Sequence, residues 1–364
     1  MTLLLRTPAA RRIGGLVFLA GLAACGDSTG VDRPASFLDG SEPNRDVAVI
    51  LNLDRSVTML HVADPAERDE LALGSSEAIT VASAAIRGRR AAIPLGNAAS
   101  VLIVGLDGDR EQRIFTFASG NATGAAWTDD DTVIAANLFG DYVGRISLTA
   151  TSTTVTNTVA VTPAPTAVVA VGGRALVVSG NLDDSFVPLG NGVVTAVDPA
   201  TMTITGTATV GLNPQDAALG PDGKLYVINT GDYVAIDGTI SVVNPQTMTV
   251  EATIPGFGNG PGSITVDAAG LAYVSSYSYG TAVWNTVTRQ FVRTPAQALC
   301  APSASGCRGA ARATAGTDGT VYQAFLGSRT EAPYVYVYDR AGLTLRDSIG
   351  VGGGPLWLDV RRFD

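Results

Sequence analysis

Short apolar runs alternate with polar turns from residue 46 to the end of the chain, and the alternation recurs about every 47 residues. The clearest copy is Leu212–Gly256, with runs at Gln215–Gly220, Lys224–Asn229, Thr239–Asn244 and Met248–Ile254. They are separated by Pro221-Asp222-Gly223, by the polar stretch Thr230–Gly238 and by Pro245-Gln246-Thr247. Runs of this length, rich in β-branched and aromatic residues and bounded by Pro, Gly, Asn and Asp, predict β-strands joined by tight turns. The first run can be laid on six other places, with anchors at Glu77, Ala122, Pro165, Pro214, Pro261, Arg308 and Pro355. The anchors are 45, 43, 49, 47, 47 and 47 residues apart. Four strands per repeat at this period predict an all-β propeller, because one small sheet cannot bury both faces alone and must stack on its neighbours.

The ends of the chain set the blade count. After Pro355 only one strand remains, Leu356–Arg361, while Asp46–Leu53, Ser56–Val62 and Glu70–Leu73 supply three strands without a first one. The C-terminal strand is expected to be the innermost strand of the first blade, which ties the termini together and leaves no open edge between first and last blades. Six complete copies and this composite predict seven four-stranded antiparallel blades over residues 46–364. Glu77–Val104 is the most diverged copy.

Composition agrees with an all-β chain: 42 glycines, 46% hydrophobic residues and only 16% charged ones in 364 residues. The net charge is −9, and Lys224 is the only lysine. The first 24 residues contribute Arg6, Arg11 and Arg12 and no acid, so the remainder is near −12. Such a surface disfavours nucleic-acid phosphates and anionic lipid headgroups as partners. The one dense basic group, Arg87, Arg89 and Arg90, reads as a solvated turn at a strand end.

Arg6, Arg11 and Arg12 precede the apolar run Ile13–Ala24, which is too short to span a bilayer but fits a secretory signal segment. It ends in Leu22-Ala23-Ala24-Cys25-Gly26. This resembles the lipobox of bacterial lipoproteins. The resemblance implies cleavage before Cys25, acylation of its thiol and new amine, and anchoring without a spanning helix. Gly26, where Asp would signal inner-membrane retention, favours the outer membrane, with the protein facing the periplasm or the cell surface. The organisation expected is a signal peptide at 1–24, a flexible tether at 25–45 that starts at lipidated Cys25, and the propeller at 46–364. In an oxidising compartment the remaining cysteines, Cys300 and Cys307, are expected to form a disulfide across their short Pro/Gly/Ser loop.

Several tracts, PDGKLYVINTGD, GTISVVNPQTMTVEATIPG and AYVSSY, resemble the YVTN-type β-propeller repeats of bacterial and archaeal surface and periplasmic proteins. The Tyr-Val-Thr-Asn-like second strand reads Tyr226-Val227-Ile228-Asn229 and Tyr273-Val274-Ser275-Ser276 here. Related propellers occur in lactonases, so the repeat does not by itself specify a function.

Ligands of such a scaffold are expected at the channel or on the face carrying the second-to-third and blade-to-blade loops. The second-to-third loops hold Asn137, Asp141, Asn181, Asp183, Asp184, Asn229, Asp232, Tyr233, Tyr277 and Tyr279, with Ser328–Glu331 in the last repeat. The blade-to-blade loops add Asn121, Asn213, Gln215 and Asn259. One reading is a hard-cation site such as Ca²⁺, centred on Asn181-Leu182-Asp183-Asp184, although the EF-hand spacing is absent. Another is a sugar or peptide groove using amides and tyrosines. A third is turn geometry alone. Catalytic support is thin: there is no His-Glu-x-x-His or phosphate loop, and the single histidine, His61, falls in a strand. No catalytic residue and no cofactor is therefore assigned, and no metal ligand is named. Trp127, Trp284 and Trp357 are expected to pack between blades. The reading reached is a monomeric, non-catalytic envelope scaffold for a small molecule, glycan, peptide or protein. A metal-dependent hydrolase or lactonase and a purely structural protein are the alternatives. A channel lined by Ala, Thr and Val would favour binding or structure; converging carboxylates and amides around an ion would favour the hydrolase.

Overall fold

The structure, a computed structural model, describes residues 38, 45–107, 111–303, 306, 307, 309–327 and 331–363. The expected signal peptide, Cys25, nearly all of the tether, the anchor Arg308 and Ser328 lie outside these residues. Within the expected tether, Leu38 is buried and belongs to the apolar cluster that includes Val47 and Ile79.

Seven four-stranded antiparallel sheets form a seven-bladed propeller. From the channel outward, blade 1 consists of Pro355–Arg362, Asp46–Asn52, Ser56–His61 and Arg68–Ala72. Blade 2 is Ala85–Arg87, Arg90–Pro94, Ser100–Gly105 and Gln112–Thr116, and blade 3 is Ala122–Trp127, Thr132–Asn137, Tyr142–Ser147 and Thr158–Ala160. Blade 4 is Pro165–Val171, Arg174–Ser179, Asn191–Asp198 and Thr203–Leu212. Blade 5 is Pro214–Leu219, Leu225–Asn229, Thr239–Asn244 and Thr249–Ile254, and blade 6 is Pro261–Val266, Leu271–Ser276, Gly280–Asn285 and Gln290–Arg293. Blade 7 is Arg312–Ala315, Val321–Phe325, Tyr334–Tyr338 and Leu345–Gly350.

The C-terminal strand closes the ring by pairing along the whole of Asp46–Asn52. Asp46 adds a side-chain clasp: its carboxylate accepts Nη2–H of Arg362 at 3.0 Å and the backbone N–H of Thr317, on blade 7, at 2.7 Å.

Strand periodicity explains the core. Successive side chains point to opposite faces of a sheet, so a strand inside a blade feeds two interfaces. Val47, Val49 and Leu51 pack toward blade 2, whereas Ala48 and Ile50 pack toward blade 7. Every blade–blade interface carries one such buried cluster. The second strand of blade 5, Leu225–Asn229, is buried throughout, and the outermost strand Thr249–Ile254 is mostly exposed. Trp127, Trp284 and Trp357 are all buried, and Trp284 meets Tyr226 and Phe257 edge-on at 6.1 and 6.5 Å. His61 is buried in its strand with Nε2 at 3.6 Å from Glu67 Oε2. Arg87 binds Asp130 at 2.6 Å, and Arg90 reaches Asp131 at 3.9 Å while lying over Trp127, so this basic turn is bound to blade 3.

Blade 2 departs from the repeat. Its innermost strand is Ala85–Arg87, eight residues beyond the anchor Glu77. The intervening chain is committed to the blade 1–2 interface: Ile79 and Val81 are buried there and Thr80 donates its N–H to Leu95 O at 3.3 Å. The Cys300–Cys307 disulfide is present, with Cα atoms 5.3 Å apart, in the chain between blades 6 and 7. That chain docks on blade 6, with Leu299 and Thr281 exchanging backbone hydrogen bonds at 2.8 and 3.0 Å.

Candidate functional site

The innermost strands hold one another through hydroxyls. Ser83 Oγ donates to Thr123 O (2.7 Å), Thr123 Oγ1 to Pro165 O (2.9 Å) and Thr166 Oγ1 to Pro214 O (3.4 Å). Ser263 Oγ continues the series with Ala311 O at 2.9 Å, and Thr265 Oγ1 with Ala313 O at 2.7 Å. Each link spends a small polar side chain on the next blade, so the channel wall is left smooth and its polar groups satisfied.

One register position breaks that uniformity. On the innermost strands, the residue opposite the penultimate residue of the second strand is Ala167 in blade 4, Asp216 in blade 5 and Ser263 in blade 6. It is Arg312 in blade 7 and Trp357 in blade 1. Arg312 Nη1 donates to Asp216 Oδ2 at 2.8 Å, which joins blades 5 and 7 in front of Ser263. The same oxygen accepts Ile264 N–H at 3.1 Å, and the Arg312 guanidinium lies 5.6 Å from the Trp357 ring centroid. Nε of Arg312 is buried without a hydrogen-bond partner. The opposite wall is small: Ala82, Ser83 and Ala84 from blade 2, Gly124 and Ala125 from blade 3, Thr166 and Ala167 from blade 4. Between the two walls lies a cavity of about 400 Å³ to which all seven blades contribute, with Leu138, Leu182, Phe186 and Tyr277 at its mouth.

The structure places the second-to-third loops around that mouth. Asn137 and Asn229 end the second strands of blades 3 and 5 and are fully buried. Asn137 Oδ1 accepts N–H groups of Asn121 (3.1 Å) and Gly140 (3.0 Å), and its Nδ2 donates to Ser119 O at 2.7 Å. Asn229 Oδ1 accepts Gly211 N–H at 3.0 Å, and its Nδ2 donates to the hydroxyls of Thr239 and Ser241, each at 2.9 Å. Asp141 and Asn181 occupy left-handed backbone, with φ of 54° each. Asp141 accepts Ala164 N–H at 2.9 Å, and Asn181 donates to Asn191 O at 2.9 Å. Asp183 Oδ1 accepts N–H groups of Ser185 and Val187, both at 2.9 Å, and its neighbour Asp184 is exposed.

Asp232 Oδ1 accepts three backbone N–H groups, from Ile236 (2.7 Å), Ala235 (2.8 Å) and Val234 (2.9 Å). These bonds, led by that of Ile236, hold its carboxyl below the usual carboxylate range. Tyr233 and Tyr277 are exposed, whereas burial raises the Tyr279 phenol and leaves its hydroxyl without a hydrogen-bond partner. Among the described residues no three His, Cys, Asp or Glu side chains are grouped to hold an ion.

The sequence reading passed over two kinds of residue. Asp216 and Arg312 escaped because their pairing depends on which innermost strands face each other across the channel. The signal was a charge within an otherwise small, apolar strand. Phe139, Phe186, Val187, Leu189, Val234 and Ile236 escaped because only polar loop residues were considered, yet all six are exposed. Apolar side chains in loops with no strand to bury them were legible in LFGDYVG, GNLDDSFVPLGNG and TGDYVAIDG.

No family model and no curated protein matches the chain. Solved structures do. Hydrazine synthase of Kuenenia stuttgartiensis superposes with a TM-score of 0.59 and 12% identity, covering 78% of this chain and 90% of that one. A functionally unknown protein from Desulfotomaculum acetoxidans DSM 771 superposes with a TM-score of 0.65 and 13% identity, covering 87% and 99%. At such identities the likeness is one of fold.

Proposed function

We propose that this chain is a YVTN-type propeller of the bacterial envelope, exported, lipid-anchored through Cys25, and acting as a non-catalytic binding protein. Its ligand is received at the channel mouth. The observation that carries the reading is the cavity of about 400 Å³ with one charged, aromatic wall and one smooth wall. A volume of that size suits a small molecule or one side chain of a larger partner. A partly buried ion pair yields little net stability, since desolvation offsets attraction. The Asp216–Arg312 pair is therefore better explained by what it offers a ligand: a guanidinium held in place beside an indole. Among the described residues lining the cavity Asp216 is the only carboxylate, and it is already spent on Arg312, Ile264 and Ala217, which favours binding over metal-dependent hydrolysis.

The test is a thermal-shift screen of small amides, saccharides and short peptides against the chain and against Ala167→Phe, which fills the cavity from its smooth wall. Ligands of the cavity raise the melting temperature of the parent and leave the variant unmoved. A screen whose hits shift both proteins equally sinks the reading. The anchor is tested separately by Cys25→Ser, which is expected to abolish lipid labelling and membrane association.

A further inference from the structure

We propose that the second-to-third loop face docks a basic, amphipathic peptide segment of a partner protein. This names the ligand class of the binding face above and rests on that reading. Two independent distributions point to it. The first is apolar. Of the sixteen exposed large apolar side chains among the described residues, nine lie on the second-to-third loops. Seven of these stand on three consecutive blades: Phe139 on blade 3, Phe186, Val187 and Leu189 on blade 4, Tyr233, Val234 and Ile236 on blade 5. Val234 is 86% exposed, and Phe139 and Phe186 meet edge-on across the blade boundary at 6.0 Å. A run of exposed apolar side chains rimmed by polar groups marks an interaction surface.

The second distribution is charge. Among the described residues the same loops carry seven carboxylates, Asp183, Asp184, Asp232 and Asp237 included, against one basic side chain, Arg55. Asp183 and Asp232 accept backbone N–H groups that hold their loops in place, and those on Asp232 stabilise its ionised form. An apolar patch inside an acidic rim repels an anionic lipid surface and repels a second copy presenting the same face. Its complement is a segment with apolar residues on one side and Lys or Arg on the other, steered by the rim and held by the patch. One side chain of that segment can enter the cavity between Leu182 and Phe186.

The experiment uses the full chain carrying Cys25→Ser, so that no acyl group contributes. Binding of a labelled amphipathic peptide of leucine and lysine is followed by fluorescence anisotropy, with the same pattern in leucine and glutamate as the control. The lysine peptide is expected to bind, more weakly as salt rises. Val234→Ser with Ile236→Ser is expected to weaken it about tenfold. Asp183→Asn with Asp184→Asn should weaken binding most at low salt and flatten its salt dependence, and Asp129→Asn with Asp130→Asn on the opposite face should leave binding unchanged. The proposal is overturned if the glutamate peptide binds as well, if the opposite-face variant loses as much, or if phosphatidylglycerol vesicles sediment the chain in the absence of peptide. Ala167→Phe separates the two readings. Retained peptide binding in that variant supports the docking surface even where the channel screen fails, and indifference to every loop variant overturns the docking surface while leaving the channel reading standing.

Discussion

The two faces of the propeller disc are built on opposite plans. On the face of first-to-second turns, blades repeat one device. Asp222, Asp267, Asp318 and Asp129 each accept a backbone N–H two residues on, at 3.1, 2.9, 2.8 and 2.9 Å. In blades 5 and 6 the same carboxylate takes the hydroxyl of a buried tyrosine, Tyr226 at 2.8 Å and Tyr273 at 3.0 Å. Burial, reinforced by Asp222, pushes the Tyr226 phenol up to about 12. On the other face no two loops share a length-and-sequence pattern, and apolar residues stand in water. Repeated chemistry closes strands; unrepeated chemistry is available to a ligand.

The largest effect is expected from removing Pro355–Asp364, which destroys both faces together. Trp357, Leu358 and Val360 of that strand are buried, and burial contributes about 1.5–3 kcal/mol per large apolar side chain. Their combined loss approaches the total stability of an ordinary domain. The strand Asp46–Asn52 would also lose its partner and present an open edge. The truncated chain should lose cooperative thermal unfolding by circular dichroism and aggregate. A cooperative transition retained near the parent temperature would refute ring closure as the source of stability.

Opening the Cys300–Cys307 loop comes next. Releasing a loop this short costs about 2.5 kcal/mol on loop-closure entropy. Because the loop lies beside Tyr277–Thr281, Cys300→Ser with Cys307→Ser should also raise hydrogen exchange at Thr281 and Leu299 while sparing blades 2 to 4. Uniform exchange across the disc would show that the bridge is not local to the loop face.

Matched substitutions on the two faces sharpen the contrast further. Gly223 turns the chain at φ +75° with nothing within 4 Å of its missing Cβ, so Gly223→Val meets backbone strain alone. That strain is about 1–2 kcal/mol, read as a lower denaturant midpoint, with loop-face binding unaltered. Val234→Ser on the other face should stay within about 0.5 kcal/mol of the parent. Equal stability losses from the two would erase the distinction between the faces.

The same division explains what could be read in advance. Turns, strands, the count of seven, the closing strand and the disulfide all rest on local or periodic signals, and they were legible. Blade 2 was misplaced because Ile79 and Val81 have the apolarity of strand residues yet are used to seal the blade 1–2 interface. Asn137 and Asn229 are conspicuous as polar residues ending strands, but only the fold shows that both are buried and spend their amides on neighbouring loops. The Asp216–Arg312 pair joins residues 96 positions apart, and no local pattern encodes which innermost strands face one another.

The smallest expected effect lies in acid. Asp232 on the loop face, and Asp129 and Asp198 elsewhere, have carboxyls lowered chiefly by backbone N–H bonds. A carboxyl lowered on folding contributes stability that is complete above its unfolded value, about 3.9, and is lost as pH falls through the lower folded value. Stability should therefore be flat from neutrality to about pH 5 and decline below about pH 4. Asp232→Asn keeps an acceptor for Ile236, Ala235 and Val234 but removes the titration. The variant should lie slightly below the parent at neutral pH, where a charged acceptor is the stronger one, and converge with it in acid. Since Asp232 also belongs to the acidic rim, peptide binding should fall with the same substitution at neutral pH. An acid limb unchanged by Asp232→Asn would mean that the carboxylate is part of the rim alone, and that its three hydrogen bonds contribute nothing to holding the loop that presents Val234 and Ile236.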